Sequence, residues 1–375
     1  MIPFNKPYLT GSEQHNISLA LASRKFSGDG EFTKKCHAWF EREYGFKKAL
    51  LTTSCTDALE MCAILLDIQA GDEVIIPSYT FVSTANAFVL RGATIKFADS
   101  LPNHPNVDPE EIAKLITPRT RAIVVVHYAG VACDMDRILE LAAPLNIPVV
   151  EDAAQAVDSF YKGRQLGSIG ALAAFSFHET KNIVCGEGGL LVINDERYIH
   201  RAEIIREKGT NRSSFFRGEV DKYGWVDIGS SFLPSDLLAA FLFAQLEHLE
   251  SIQRERMRVW QRYWDNFMKA NLPSDVLLPT LPDFATNNAH MFYLICPTLD
   301  IRSAVIAKLK EHQILAVFHY LSLHTSPYYS DKHDGRRLIN CDRYADHLIR
   351  LPLYVELADD QIDEICRLVV SVLKP

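Results

Sequence analysis

The sequence predicts an α/β protein: a large domain on a mainly parallel, seven-stranded sheet, then a smaller C-terminal α+β domain. Three observations carry this. Seven short apolar runs, several of them β-branched, lie between residues 47 and 195. Helix-patterned stretches separate them, and such alternation gives a parallel sheet wrapped by helices. After residue 235 the alternation stops and a long helical pattern begins. A chain of 375 residues has room for roughly two domains, and the boundary is placed near 250, giving 1–250 and 251–375.

In order, the strand runs are KALLT, EVIIP at 73–77, TIKFAD at 94–99, RAIVVVHYA at 121–129, IPVVEDA at 147–153, LAAFSF at 172–177 and GLLVIN at 189–194. Short runs of this composition suit strands buried on both faces. Helices are expected over Thr56–Ile68, which closes at Gly71, and over Thr80–Leu90, Pro109–Ile116 and Met135–Leu145. The stretch 235–270 reads as one nearly continuous helix, apolar first and then charged and aromatic. Beyond it come Pro-bearing loops, the strand-like run MFYLICP, and helices at 302–313 and 359–372.

Composition narrows the function classes. Hydrophobic residues at 48% and charged residues at 23% belong to a globular chain and exclude a disordered one. The net charge of −8 argues against general nucleic-acid binding. No run approaches the roughly 18 apolar residues of a membrane span, and the first residues lack a signal-peptide pattern, so a cytoplasmic protein is expected. The eight cysteines are scattered singly, without zinc-ligand spacing; reduced, mostly buried thiols and no metal site are expected.

The chemistry concentrates at strand ends. Asp152, in VEDAAQ, lies at the C-terminal end of a buried strand, where open α/β sheets bind ligands. A carboxylate there needs a cationic partner to offset desolvation, and a protonated pyridine nitrogen is one. Glu151 points to the other face by strand alternation. Lys181 follows the next strand in SFHETK, where lost solvation lowers an ammonium toward the neutral amine that forms a Schiff base. In isolation such a lysine is more often a surface residue. Ser54, Cys55 and Thr56 open a helix after the first strand and can hold a phosphate, with Ser176 added from another strand end; plain N-capping is the simpler role for the first three. Asp57, in the first turn, is expected to point away. Phe81 can stack on a flat ring and Tyr79 can offer a hydroxyl, although aromatics at a strand end are more often core.

Together IPFNKP, GDGEFTKKCHAWFEREYG, SCTDAL, GDEVIIPSYTFVSTANAFVLRGA, HYAG, VVEDAAQA, SFHETKN, GEGG and VFHYLSLH run in the order seen in the nucleotide-sugar aminotransferases that use pyridoxal 5′-phosphate (PLP). The chain resembles that family over essentially its whole length. The resemblance implies fold type I, with Lys181 as Schiff-base lysine and proton shuttle and Asp152 on the pyridine nitrogen. It implies Gln155 near the ring and its phenolic oxygen, Phe81 stacked on it, and Ser54, Cys55, Thr56 and Ser176 on the phosphate. Ser231 stands where many relatives place an asparagine that reaches the phosphate of the neighbouring subunit, which implies a homodimer with an intersubunit active site. Three departures concern pocket detail: Val184 and Cys185 replace threonines, Ser322 replaces a proline, and Ser231 is shorter than asparagine.

By the same resemblance the amino donor is L-glutamate and the acceptor a dTDP-4-keto-6-deoxy-D-glucose. The products are dTDP-4-amino-4,6-dideoxy-D-galactose, a sugar of enterobacterial common antigen, and 2-oxoglutarate. Arg206, Lys208, Arg212, Arg217 and Lys222 put five cations among three acids, a density suited to gripping a diphosphate. His319 and Tyr320 are placed near the sugar. Alternatives are a family member acting at sugar carbon 3 or giving an equatorial amine, a dehydratase of the same fold, and a non-catalytic nucleotide-sugar binder. Lys181 argues against the dehydratase, where a histidine takes its place, and Lys181 with Asp152 argues against the binder.

Overall fold

The computed structural model describes residues 1–374. Helices α1 (Glu13–Ala22) and α2 (Glu31–Glu43) precede an alternation of β1 (Lys48–Thr52), α3 (Cys55–Leu65), β2 (Glu73–Pro77), α4 (Val82–Val89), β3 (Thr94–Ala98), α5 (Pro109–Leu115), β4 (Thr120–Val126), α6 (Met135–Ala142) and β5 (Val149–Asp152). A two-residue hairpin, β6 (Phe160–Tyr161) and β7 (Arg164–Gln165), leads to β8 (Leu172–Ser176) and β9 (Gly189–Ile193). Then come α7 (Ile199–Arg206), α8 (Arg212–Phe216), α9 (Asp236–Glu247), α10 (Leu249–Ala270), β10 (Phe292–Ile295), α11 (Leu299–Glu311), α12 (Ile339–His347), β11 (Leu348–Leu351) and α13 (Asp359–Leu373).

All seven expected runs form the main sheet, in the order β1-β9-β8-β5-β4-β2-β3. Only β9 runs against its neighbours; the pairs β8–β5, β5–β4, β4–β2 and β2–β3 are parallel. The C-terminal ends of β1, β2, β4, β5 and β8 therefore share one edge with the start of β9. Alternation splits the strand side chains between two cores. Ile75, Val125, Val149, Phe175 and Val192 enter one, and Val74, Ile76, Val124, Val150 and Leu191 the other. Each fully buried side chain of this size contributes about 1.5–3 kcal/mol. A third core gathers Val259, Tyr263, Phe292, Leu309, Ile349 and Leu368 from α10, β10, α11, β11 and α13.

Capping explains several helix starts. Ser54 accepts from Asp57 N–H, Asp134 from Arg137 N–H, Ser235 from Leu238 N–H and Thr298 from Ile301 N–H; such a cap is worth about 1 kcal/mol. Two differences from the sequence pattern have local causes. The stretch 235–270 is two helices, because at His248 (φ −111°, ψ 10°) the N–H turns back to Gln245 O at 3.1 Å. This sends α9 against α1 and α2, and α10 against α13. Helix α4 starts at Val82 rather than Thr80, since Phe81 is extended (ψ 147°) at its N-cap. Among the described residues no helix is long and apolar enough to cross a membrane.

Candidate active site

The shared sheet edge carries a pocket of about 430 Å³. Ser54, Cys55 and Thr56 reach it from the β1–α3 turn, Phe81 from the turn after β2, Asp152 and Gln155 from the end of β5, and Ser176 and Lys181 from the end of β8. His319 and Tyr320 close it from the C-terminal part of the chain. The turns come this close because Gly189, first in β9, lies against the Ser54–Cys55 peptide, where any Cβ would collide.

Asp152 is buried, 5% exposed, and it is sparsely partnered. Thr84 donates its hydroxyl to Oδ2 at 2.7 Å, and Ala154 N–H reaches Oδ1 at 3.2 Å. Among the described residues no cationic side chain forms an ion pair with it. Burial raises its carboxyl above the usual aspartate value, against the Thr84 and Ala154 hydrogen bonds and the Lys181 charge. Lys181 is shifted the other way. Burial, its largest cause, lowers the ammonium; Cys55 and Asp152 oppose this and Arg350 adds to it. Among the described residues its Nζ donates no hydrogen bond, while its N–H closes a turn to His178 O at 2.9 Å. The site thus holds an acid short of a cation and an amine pushed toward neutrality.

Glu151 faces away from the pocket, as strand alternation requires. It is fully buried and accepts from His127 Nε2–H at 2.9 Å and from the N–H groups of Gly167, Ile169 and Gly170 at 2.8, 2.8 and 2.6 Å. Cys133 N–H donates to His127 Nδ1 at 3.2 Å, which fixes the tautomer. At the helix opening, Ser54 caps α3 and Thr56 donates to Ser83 Oγ at 2.8 Å. Asp57 accepts from the Thr53 hydroxyl and stays out of the pocket lining, as expected. Phe81 stands at the mouth, 56% exposed. His319 Nδ1 meets Tyr128 Oη at 2.7 Å, and its ring stacks on Tyr320 with centroids 3.6 Å apart.

Four predicted site residues lie elsewhere. Tyr79 is 1% exposed, behind the wall, packed on Tyr128 and Tyr344, so its hydroxyl does not line the pocket. Arg212, Lys222 and Ser231 are exposed on the largely exposed 208–231 stretch, outside the pocket of their own chain; for Ser231 this is where a residue reaching the neighbouring subunit was expected. The cation density there is largely spent within the chain: Arg206 binds Asp29 and Leu51 O, Arg212 pairs with Glu207, and Arg217 pairs with Glu203 and Glu219. Several pocket residues escaped the sequence reading, among them Thr84, His290 and Arg350. Thr84 had a signal in its place one turn into a helix at a strand end; the other two had none.

The DegT/DnrJ/EryC1/StrS aminotransferase family model matches residues 7–370. The spore coat polysaccharide biosynthesis protein SpsC of Bacillus subtilis is 33% identical over 386 residues, spanning 100% of this chain and 97% of its own. Among solved structures, the aminotransferase TlmJ from Streptoalloteichus hindustanus superposes with a TM-score of 0.91 at 29% identity, covering 100% of this chain and 99% of its own. The putative sugar aminotransferase Spr1654 from Streptococcus pneumoniae, in its PLP form, does so with a TM-score of 0.90 at 25% identity, covering 100% and 98%. The residues present fit that cofactor: the carboxylate lacking a cation suits a pyridinium N–H, the depressed amine an aldehyde, and the α3 N-terminus a phosphate. The chain belongs to the DegT/DnrJ/EryC1/StrS aminotransferase family and is a PLP-dependent sugar aminotransferase of fold type I.

Proposed function

We propose that this sugar aminotransferase moves an amino group from L-glutamate to a dTDP-4-keto-6-deoxy-D-glucose, giving dTDP-4-amino-4,6-dideoxy-D-galactose and 2-oxoglutarate. The observation that carries the chemistry is Lys181 and Asp152 together in one buried pocket, where burial depresses the amine toward its neutral form and leaves the carboxylate in need of a cationic partner. Bound PLP supplies an electron sink for the pair left when a Cα proton departs. Lys181 Nζ, depressed by burial, takes that proton from the donor and delivers one to the ketosugar carbon. Asp152 holds the pyridine nitrogen, and Thr84 holds Asp152 in place. Ser54, Cys55, Thr56 and Ser176 take the phosphate, Gln155 lies beside the ring, and Phe81 covers it from the mouth. His319 and Tyr320 face the sugar. The choice of donor, sugar and product follows the sequence resemblance, and the proposed setting is surface-polysaccharide synthesis in the cytoplasm.

The working unit in this reading is a homodimer. Trp225 is 85% exposed, with Phe216, Val226 and Ile228 beside it, on the stretch that carries Arg212, Lys222 and Ser231. Covering that apolar surface with a second copy would carry these three residues toward the copy's pocket. The division at residue 250 assigns the third core to the smaller domain.

Two measurements test the reading. Lys181→Ala is expected to abolish both the visible absorbance of the lysine-bound cofactor and all turnover; retained transamination from glutamate would defeat the assignment. With dTDP-4-keto-6-deoxyglucose and glutamate, NMR should find an axial C4 amine, and an equatorial one would rule out the galactose-configured product.

A further inference from the structure

Arg350, on β11, lines the pocket together with Lys181, Thr180 and His290. Its backbone is fixed by paired hydrogen bonds with Val317, at 2.8 and 3.1 Å, so the side chain's origin is rigid. Among the described residues its guanidinium donates no hydrogen bond and pairs with no carboxylate, and its Nε is buried without an acceptor. Arg91, Arg302 and Arg343 also keep a buried Nε without an acceptor, but none of them lines this pocket, and the two most buried arginines are filled. Arg256 donates to Ala289 O at 3.1 Å and His290 O at 2.8 Å, and Arg206 donates to Leu51 O and Asp29, both at 2.8 Å. One face of the Arg350 guanidinium lies over the Phe4 ring, 4.7 Å from its centroid. A planar five-donor fork, covered on one side by a ring and without an acceptor among the described residues, suits a flat two-oxygen acceptor.

We propose that Arg350 recognises a carboxylate of the amino donor, a conclusion that rests on the transaminase reading above. An amino acid whose nitrogen reaches Lys181 carries its carboxylate on the same carbon, so that group must settle among the neighbours of Lys181, where Arg350 stands. The neighbouring histidines do not compete, because burial holds His290 and His319 well below the usual imidazole range, in their neutral forms. A sugar diphosphate is bulkier and belongs nearer the mouth, beyond Phe81.

The probe is glutarate, an unreactive dicarboxylate, titrated calorimetrically into the holoenzyme. Arg350→Met should weaken glutarate by about 100-fold and Arg350→Lys, a point charge without the fork, by about tenfold. The visible spectrum of the bound cofactor and the affinity for dTDP should stay within about twofold of wild type by the same reasoning. Unchanged glutarate affinity in both variants overturns the inference alone and leaves the transaminase reading standing. Loss of cofactor, or a larger loss of dTDP than of glutarate, also overturns it, assigning Arg350 to those ligands. Failure of the wild-type holoenzyme to bind glutarate and to react with glutamate removes the donor assignment and this inference with it. Should the methionine variant not fold, the lysine variant decides the question.

Discussion

Gln155 Nε2 donates to Tyr320 Oη at 2.8 Å, while Ala129 N–H donates to Gln155 Oε1 at 2.6 Å. One amide thus joins the chain after β4, the end of β5 and the segment that leads toward β11, from three distant parts of the sequence. Tyr320→Phe leaves a buried N–H without an acceptor. It should lower stability by about 1 kcal/mol and kcat/KM for the ketosugar by about tenfold. Thermal melts and steady-state kinetics check both.

Thr84→Val keeps shape and removes only the hydroxyl that donates to Asp152. With one of two donors gone, the carboxylate is less well held and less readily ionised. The expected outcome is a roughly tenfold weaker cofactor, equivalent to about 1.4 kcal/mol. Titration of cofactor-free protein with PLP, followed by absorbance, measures it.

Asp152→Asn should separate stability from function. Burial raises this carboxyl above its ordinary 3.8. As pH climbs through the window above 3.8, the unfolded chain releases its proton first, so this group's contribution to stability falls. The amide has no such slope. Cofactor-free Asp152→Asn should be more stable than wild type at neutral pH, by about 1 kcal/mol, while losing nearly all turnover. Denaturant melts between pH 4 and 7 would expose a wrong sign.

Glu151 has the opposite slope. Burial alone would raise it, but the His127 ring and the Gly170 and Gly167 N–H groups more than offset this and leave it below 4.5. Its stabilisation is present above 4.5 and is lost as pH falls through the folded value. Glu151→Gln should cost about 2–3 kcal/mol at pH 7 and flatten acid unfolding below pH 4.5. Parallel melts that stay a constant distance apart at every pH would refute it.

The main sheet was legible because its strands are apolar runs buried on both faces, and the helices between them begin at capping residues such as Ser54 and Asp134. Asp152 and Lys181 were legible by position, each following a buried strand at the edge where such sheets bind ligands. What fold-made surroundings create was not legible. Arg350 gains its meaning from Phe4, which lies far away in the chain, and His290 from the burial around it. The cations from Arg206 to Arg217 looked available in sequence, yet their partners Asp29 and Glu203 are brought in by folding. Helix α1 left no clear mark before β1, since its apolar residues do not gather on one face. Tyr79 illustrates the same limit, because a hydroxyl after a strand looks identical whether it faces a cavity or the wall behind it.

The pairing of β1 with β9 sets Thr52 opposite Gly189, well over a hundred residues later. During synthesis the phosphate-binding turn must wait for that late strand before it can rest against its glycine. Competence for the vitamin therefore cannot arrive until the first half of the chain, through β9, has been made.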